Sequence, residues 1–129
     1  MRLFLDTHVM LWWLRDNAKL GPRTKALIAE PHSVLLVSVA SFWELSIKAR
    51  TGKIAVSGSV LWGEAHDNGF EIVPVRLPHL AALEAIKSTS RHNDPFDHLI
   101  LAQTVAEEAM LITSDRQLLA YDVRAFRAK

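Results

Sequence analysis

Four acids stand where they could do chemistry together. Asp6 ends the apolar run Leu3-Phe4-Leu5, Glu44 follows shortly after Val34-Leu35-Leu36-Val37, Asp97 opens an apolar helical stretch, and Asp115 follows Met110-Leu111-Ile112-Thr113. Each lies at or near a predicted helix start. In an open α/β sheet that is the place beyond the carboxyl ends of the strands where ligands bind. Carboxylates brought there from distant parts of a chain repel one another, and a divalent cation is the simplest group that would hold them together.

Each acid also has an ordinary structural duty. Asp6 can cap the first helix, and Ser41-Phe42-Trp43-Glu44 matches the Ser-x-x-Glu capping box. Asp94-Pro95-Phe96-Asp97 reads as a helix start, with Asp at the cap and Pro at the first position. Asp115 can cap in its turn, and Glu44 and Lys48 are spaced as an i,i+4 pair. A cap, however, needs one acceptor, and Ser, Thr or Asn serve equally well. Here all four residues are acids from separate elements, and Glu44 and Asp97 have apolar neighbours that make an unpaired charge costly.

The elements that must position them alternate. Strands are predicted at Arg2–Leu5, Val34–Val37, Phe70–Val75, Met110–Thr113 and Val123–Phe126. Pro74 marks the third as an edge or strand end. Helices are predicted at Thr7–Arg15, Pro22–Glu30, Ala40–Arg50, Ser59–Asn68, Leu77–Lys87, Asp94–Ala109 and Arg116–Ala120, with a polar loop at Ser88–Asn93. The order β-α-α-β-α-α-β-α-α-β-α-β argues for a three-layer α/β/α domain around a central parallel sheet of four to five strands.

The chain has 129 residues, half of them hydrophobic, which suits one domain, 1–129, with a sizeable core. It has no cysteine, which removes disulfides and thiolate metal sites and fits a reducing cytosol. A net charge of +1 is not that of a protein that coats nucleic acid by charge alone. No run approaches the roughly 20 apolar residues of a membrane span, and no signal-peptide pattern is complete. The expectation is a soluble, cytoplasmic protein.

Four stretches, in this order, resemble the PIN-domain ribonucleases, and specifically the VapC-type toxins of type II toxin–antitoxin pairs. They are Leu5-Asp6-Thr7-His8-Val9-Met10-Leu11-Trp12-Trp13-Leu14, Ser38-Val39-Ala40-Ser41-Phe42-Trp43-Glu44-Leu45, His92-Asn93-Asp94-Pro95-Phe96-Asp97-His98-Leu99-Ile100-Leu101-Ala102-Gln103, and Leu111-Ile112-Thr113-Ser114-Asp115. The resemblance implies that Asp6, Glu44, Asp97 and Asp115 are the catalytic, metal-binding acids, Asp115 holding the more variable position. It places Asp94 at the helix cap and makes Thr7 and Thr113 the hydroxyls behind the ligands. It further implies an endoribonuclease leaving a 5′-phosphate and a 3′-hydroxyl, a cognate antitoxin laid across helices near the site, and a homodimer.

Oxygen-only donors suit Mg²⁺ or Mn²⁺ better than zinc. Such an ion acidifies a water for in-line attack on phosphorus, so the chain needs no nucleophilic side chain. Lys48, Arg50, Lys53, Arg91 and Arg116 are candidates for contacts to the RNA backbone. Two further readings compete: a non-catalytic RNA-binding module of the same fold, and a metal-dependent nuclease or phosphatase acting on another phosphate ester.

A zinc site from His92, Asp94, Asp97 and His98 fits poorly, because no His-x-x-x-His spacing is present and His98 is turned around the helix from Asp97. His8 reads as a helix-surface or pocket-edge residue. The tryptophans, Trp12, Trp13, Trp43 and Trp62, read first as core. Trp12 and Trp13 are adjacent, so one is expected to pack inward and the other to face a partner groove.

Overall fold

The computed structural model describes residues 1–86, 94–119, 121 and 125–128. Its element order is that expected: β1 (Arg2–Leu5), α1 (Thr7–Leu14), α2 (Pro22–Ala29), β2 (Val34–Ser38), α3 (Val39–Arg50), α4 (Gly58–Asp67), β3 (Glu71–Val73), α5 (Leu77–Ala85), α6 (Pro95–Ala106), β4 (Met110–Thr113), α7 (Arg116–Leu119) and β5 (Ala125–Arg127). The expected polar loop at Ser88–Asn93 lies outside the described residues.

The five strands are all parallel, in the order β3-β2-β1-β4-β5. β3 lies at one edge, and Pro74, which has no N–H to give a ladder, falls just beyond it. The chain winds outward from β1 through β2 to β3, then crosses back to place β4 on the other side of β1. The order therefore reverses between β1 and β4. That switch point leaves a crevice at the carboxyl ends of those two strands, where Asp6 and Asp115 follow.

Alternation along the central strands splits the core in two. Leu3, Leu5, Val37 and Ile112 face one side, with Val9 and Met10 of α1 and Leu45 of α3. Phe4, Leu36 and Leu111 face the other, with Ile100 and Leu101 of α6. Burying both faces is what a parallel sheet requires, and it explains the unbroken apolar runs in β1, β2 and β4.

Three local expectations change. Helix α3 begins at Val39, directly out of β2, and its cap is Ser38, whose side chain accepts from the Ala40 N–H. Ser41 is thus inside the helix, and the Ser41–Glu44 capping box does not form. Helix α6 ends at Ala106, because Glu108 adopts a left-handed φ of 51° and closes it before Ala109. Among the tryptophans, Trp12 and Trp13 both pack against the core, whereas Trp43 is 63% and Trp62 43% exposed. The adjacent pair has room to share the core because α1 buries a broad face rather than a narrow stripe.

One glycine is required by packing. A Cβ on Gly58, at the start of α4, would lie 2.2 Å from both the Phe42 carbonyl oxygen and Ser46 Oγ. Only hydrogen fits there, so α3 and α4 approach closely and hold the segment that carries Glu44.

Candidate active site

Asp6 occupies the single residue between β1 and α1. One carboxylate oxygen accepts the Val9 N–H at 2.8 Å and so caps α1. The other accepts the hydroxyl hydrogen of Thr113, at the end of β4. Asp6 is only 5% exposed. Burial pushes its carboxyl pKa up, and the hydrogen bonds from Thr113 and Val9 and the nearby His8 only partly counter this, while the charge of Asp115 adds to it. A carboxylate held in this way gains from a nearby cation, which would favour its charged form.

Glu44 comes from the second turn of α3. Its Oε2 pairs with Lys48 Nζ at 3.3 Å, the i,i+4 contact expected from the sequence. Thr7 donates to Ser41 Oγ at 2.7 Å and lies 3.5 Å from Glu44 Oε1, so its good bond is to the serine and its approach to the glutamate is marginal. Ser41, assigned by spacing to a cap, instead ties α3 to the start of α1.

Asp94 caps α6, its Oδ1 accepting the N–H groups of Phe96 at 2.9 Å and Asp97 at 3.3 Å. Pro95 stands at the first helical position. The next acid, Asp97, in the first turn, lines the cleft. Asp115 donates its backbone N–H to Thr113 Oγ1 at 3.0 Å and accepts the Gln117 N–H at 2.9 Å. The Thr113 hydroxyl therefore accepts from the Asp115 backbone while donating to Asp6, and it fixes the ends of β1 and β4 against each other.

Asp6, Glu44, Asp94, Asp97 and Asp115 line one cleft of about 270 Å³, together with Thr7, His8, Lys48, Gln117 and Leu118. All four acids singled out by position in the sequence thus meet, with Asp94 beside them and Thr113 buried behind Asp6. Lys48 lines the cleft, but Arg50, Lys53 and Arg116 are exposed and do not. Arg91 and His92 lie outside the described residues. His98 hydrogen-bonds the Tyr121 hydroxyl at 3.2 Å and is not among the residues lining the cleft. Gln117 and Leu118 had no signal in the sequence beyond following Asp115 into a short helix.

The donor set is all oxygen, with no sulfur and one exposed imidazole at its edge, which fits a hard dication. Among the described residues, no three acids or histidines are drawn together tightly enough to enclose an ion as they stand. Five carboxylates against the single ammonium of Lys48 leave the cleft strongly negative.

The PIN domain profile matches residues 3–124, and the chain belongs to the PIN domain family. No curated protein matches it in sequence. Similar solved structures include VapBC2 from Rickettsia felis bound to a DNA fragment from their promoter, at 13% identity, covering 98% of both chains with a TM-score of 0.73. VapBC-1 from nontypeable Haemophilus influenzae is 16% identical over 98% of this chain and 97% of that one, TM-score 0.69. FitAcB from Neisseria gonorrhoeae is 19% identical over 98% and 97%, TM-score 0.68. At such identities the likeness speaks for the fold. Among the described residues no helix is long and apolar enough to cross a membrane.

Proposed function

We propose that this chain, as a single PIN domain over residues 1–129, is a metal-dependent endoribonuclease and the toxin of a VapC-type toxin–antitoxin pair. The observation that carries this reading is the convergence of Asp6, Glu44, Asp97 and Asp115 from four distant parts of the sequence on one cleft. A structural cap has no need of such company. Membership of the PIN domain family and the likeness to VapBC structures support it.

Asp6, Glu44, Asp97 and Asp115 would hold Mg²⁺ or Mn²⁺, which when bound supplies an acidified water and neutralises phosphate charge. The chain's own residues do the positioning. Thr113 and the start of α1 fix both oxygens of Asp6, so that its rotamer is set before substrate arrives. Lys48, free to leave Glu44 when that carboxylate is neutralised otherwise, is the cation in the cleft that can meet a phosphate. Asp94 keeps α6 started so that Asp97 faces inward. A cytoplasmic location, a cognate antitoxin and a homodimer go with the same reading.

The test is cleavage of labelled total RNA by the purified, antitoxin-free protein, with and without Mg²⁺ or Mn²⁺, beside Asp6→Asn and Asp97→Asn. Discrete cuts that need metal and vanish in both variants are expected. Metal-independent cutting, or cuts that persist in both folded variants, would overturn it. Intact RNA but cleaved single-stranded DNA or small phosphate esters would move the activity to another substrate.

A further inference from the structure

The acid cleft is poorly equipped to grip a polyanion, since one lysine faces five carboxylates there. Beyond Lys48 and a bound dication, further contacts that hold and register a nucleic-acid backbone must lie outside the cleft. A second cavity, of about 300 Å³, opens between the start of α2 and the end of β5, lined by Gly21, Pro22, Arg23, Thr24, Phe126 and Arg127.

Its β5 side lies at the carboxyl end of the sheet, the end at which the acids stand. Arg127 is in register with Thr113 on the neighbouring strand, one strand spacing of about 4.8 Å away. The Ala128 N–H donates to the Thr113 carbonyl at 2.9 Å, and the Ala128 carbonyl in turn accepts the Gly21 N–H at 3.1 Å and the Thr24 hydroxyl at 2.9 Å. The start of α2 is thereby tied, through one residue, to the strand end that carries Thr113 and leads to Asp115. Both arginines are exposed, and among the described residues neither has an ion-pair partner. Among the described residues, the arginines and lysines paired with acids are instead Arg2, Arg15, Lys25 and Lys48.

We infer that the RNA whose scissile bond lies in the acid cleft runs past the end of β5 to the α2–β5 cavity, with Arg127, on the sheet face opposite Phe126, and Arg23 each on a separate backbone phosphate. Pro22 and Phe126 supply an apolar wall for the sugar or base. This rests on the ribonuclease reading and adds to it the course of the RNA along the carboxyl end of the sheet, from the cleft across β4 to β5. Guanidinium groups suit the role, because their planar donors match phosphate oxygens two at a time. A contact of this kind carries no sequence information of its own, but it fixes register, and so decides which bond reaches the acids.

The experiment uses the full chain carrying Asp6→Asn, which binds without cutting, and a fluorescent single-stranded RNA of mixed sequence read by anisotropy across a salt series. Adding Arg23→Ala and Arg127→Ala together is expected to weaken binding about tenfold. It should also flatten the log–log salt dependence by roughly 1.4, the value for two lost contacts to a single strand. Arg15→Ala with Arg76→Ala, which line neither cavity, should change neither. Thermal melts of the Arg23 and Arg127 variant and its parent should match, since these two arginines hold nothing in place. Unchanged affinity and salt slope in the double variant, while its parent binds, would overturn the inference alone, even if the variant lost an acidic protein partner. A parent that binds no RNA, in a wild type that cuts none, would overturn the ribonuclease reading and this with it.

Discussion

Thr113 donates its hydroxyl hydrogen to Asp6 from 107 positions further along the chain, and the same oxygen accepts the backbone N–H of Asp115. One hydroxyl thus orients two of the acids in the cleft. Thr113→Val keeps the shape and removes both bonds. On the proposed reading, cleavage is expected to fall roughly 10- to 100-fold, the usual effect of losing a group that orients a metal-binding carboxylate. Stability should drop by about 1–3 kcal/mol for the stranded partners. Single-turnover cleavage across a Mg²⁺ series, with urea denaturation alongside, measures both. Full activity at ordinary Mg²⁺ would show that Asp6 needs no such help.

Asp6 should make the metal-free protein less stable at neutral pH. Its folded pKa lies above the ordinary value of 3.8, chiefly because it is buried. Such a carboxyl binds its proton more tightly in the folded chain, so its contribution is fully present below the unfolded pKa and is lost as pH rises through the folded one. Asp6→Asn, which can still cap α1, should therefore melt higher than wild type at pH 7 without metal. The gap should close as pH falls toward 3.8. A variant that melts lower at neutral pH would mean that the hydrogen bonds to the carboxylate outweigh its burial.

Gly58→Ala sets two effects against each other. In a helix, alanine is favoured over glycine by up to about 1 kcal/mol. At this position the added carbon would meet a backbone carbonyl oxygen at 2.2 Å, which cannot swing aside as a side chain can. Overpacking of this kind costs typically 1–3 kcal/mol, so a net loss is expected. Because α3 carries Glu44 and Lys48, metal affinity should fall too on the proposed reading. Urea denaturation gives the sign, and a stabilised variant would show that α3 and α4 can move apart freely.

His79 is fully buried on α5, and it takes the Arg76 N–H at Nδ1. Its remaining ring hydrogen is therefore on Nε2, donated to Glu107 Oε2 at 2.8 Å. Glu107 also holds Arg2, at the start of β1, at 3.2 Å. Glu107→Ala strands the buried imidazole and should cost about 1–3 kcal/mol. Arg2→Ala, at a partly exposed pair, should cost under about 1 kcal/mol. Equal losses would place the importance of Glu107 with the arginine instead.

Much of this was legible in the sequence, because the strongest signals in it are local. Continuous apolar runs marked β1, β2 and β4, and Asp94-Pro95 marked the start of α6 through capping and a fixed φ. The four acids were legible for the same reason: Asp6, Glu44 and Asp115 follow such runs, and Asp97 opens one. What could not be read depends on how elements meet. Ser41 matches a capping box, yet β2 passes into α3 without a loop, so Ser38 takes the cap and Ser41 turns toward Thr7. Trp43 and Trp62 carry no mark separating them from Trp12 and Trp13, since exposure is decided by what the neighbouring helices cover. Gln117 reaches the cleft, and Arg127 comes level with Thr113, through strand pairing that no spacing records.

The placement of β1 at the centre of the sheet has a consequence for biosynthesis. The first strand made has β2 on one side but must wait for residues 110–113 to gain its neighbour on the other. Until then Asp6 has no Thr113 to orient it, and Asp115 does not yet exist. A chain still emerging from the ribosome, or one cut short before β4, carries three of the acids but no assembled centre. On the proposed reading, cleavage therefore cannot begin until residues 110–115 have been made and paired with β1, and nothing is needed to restrain it before then.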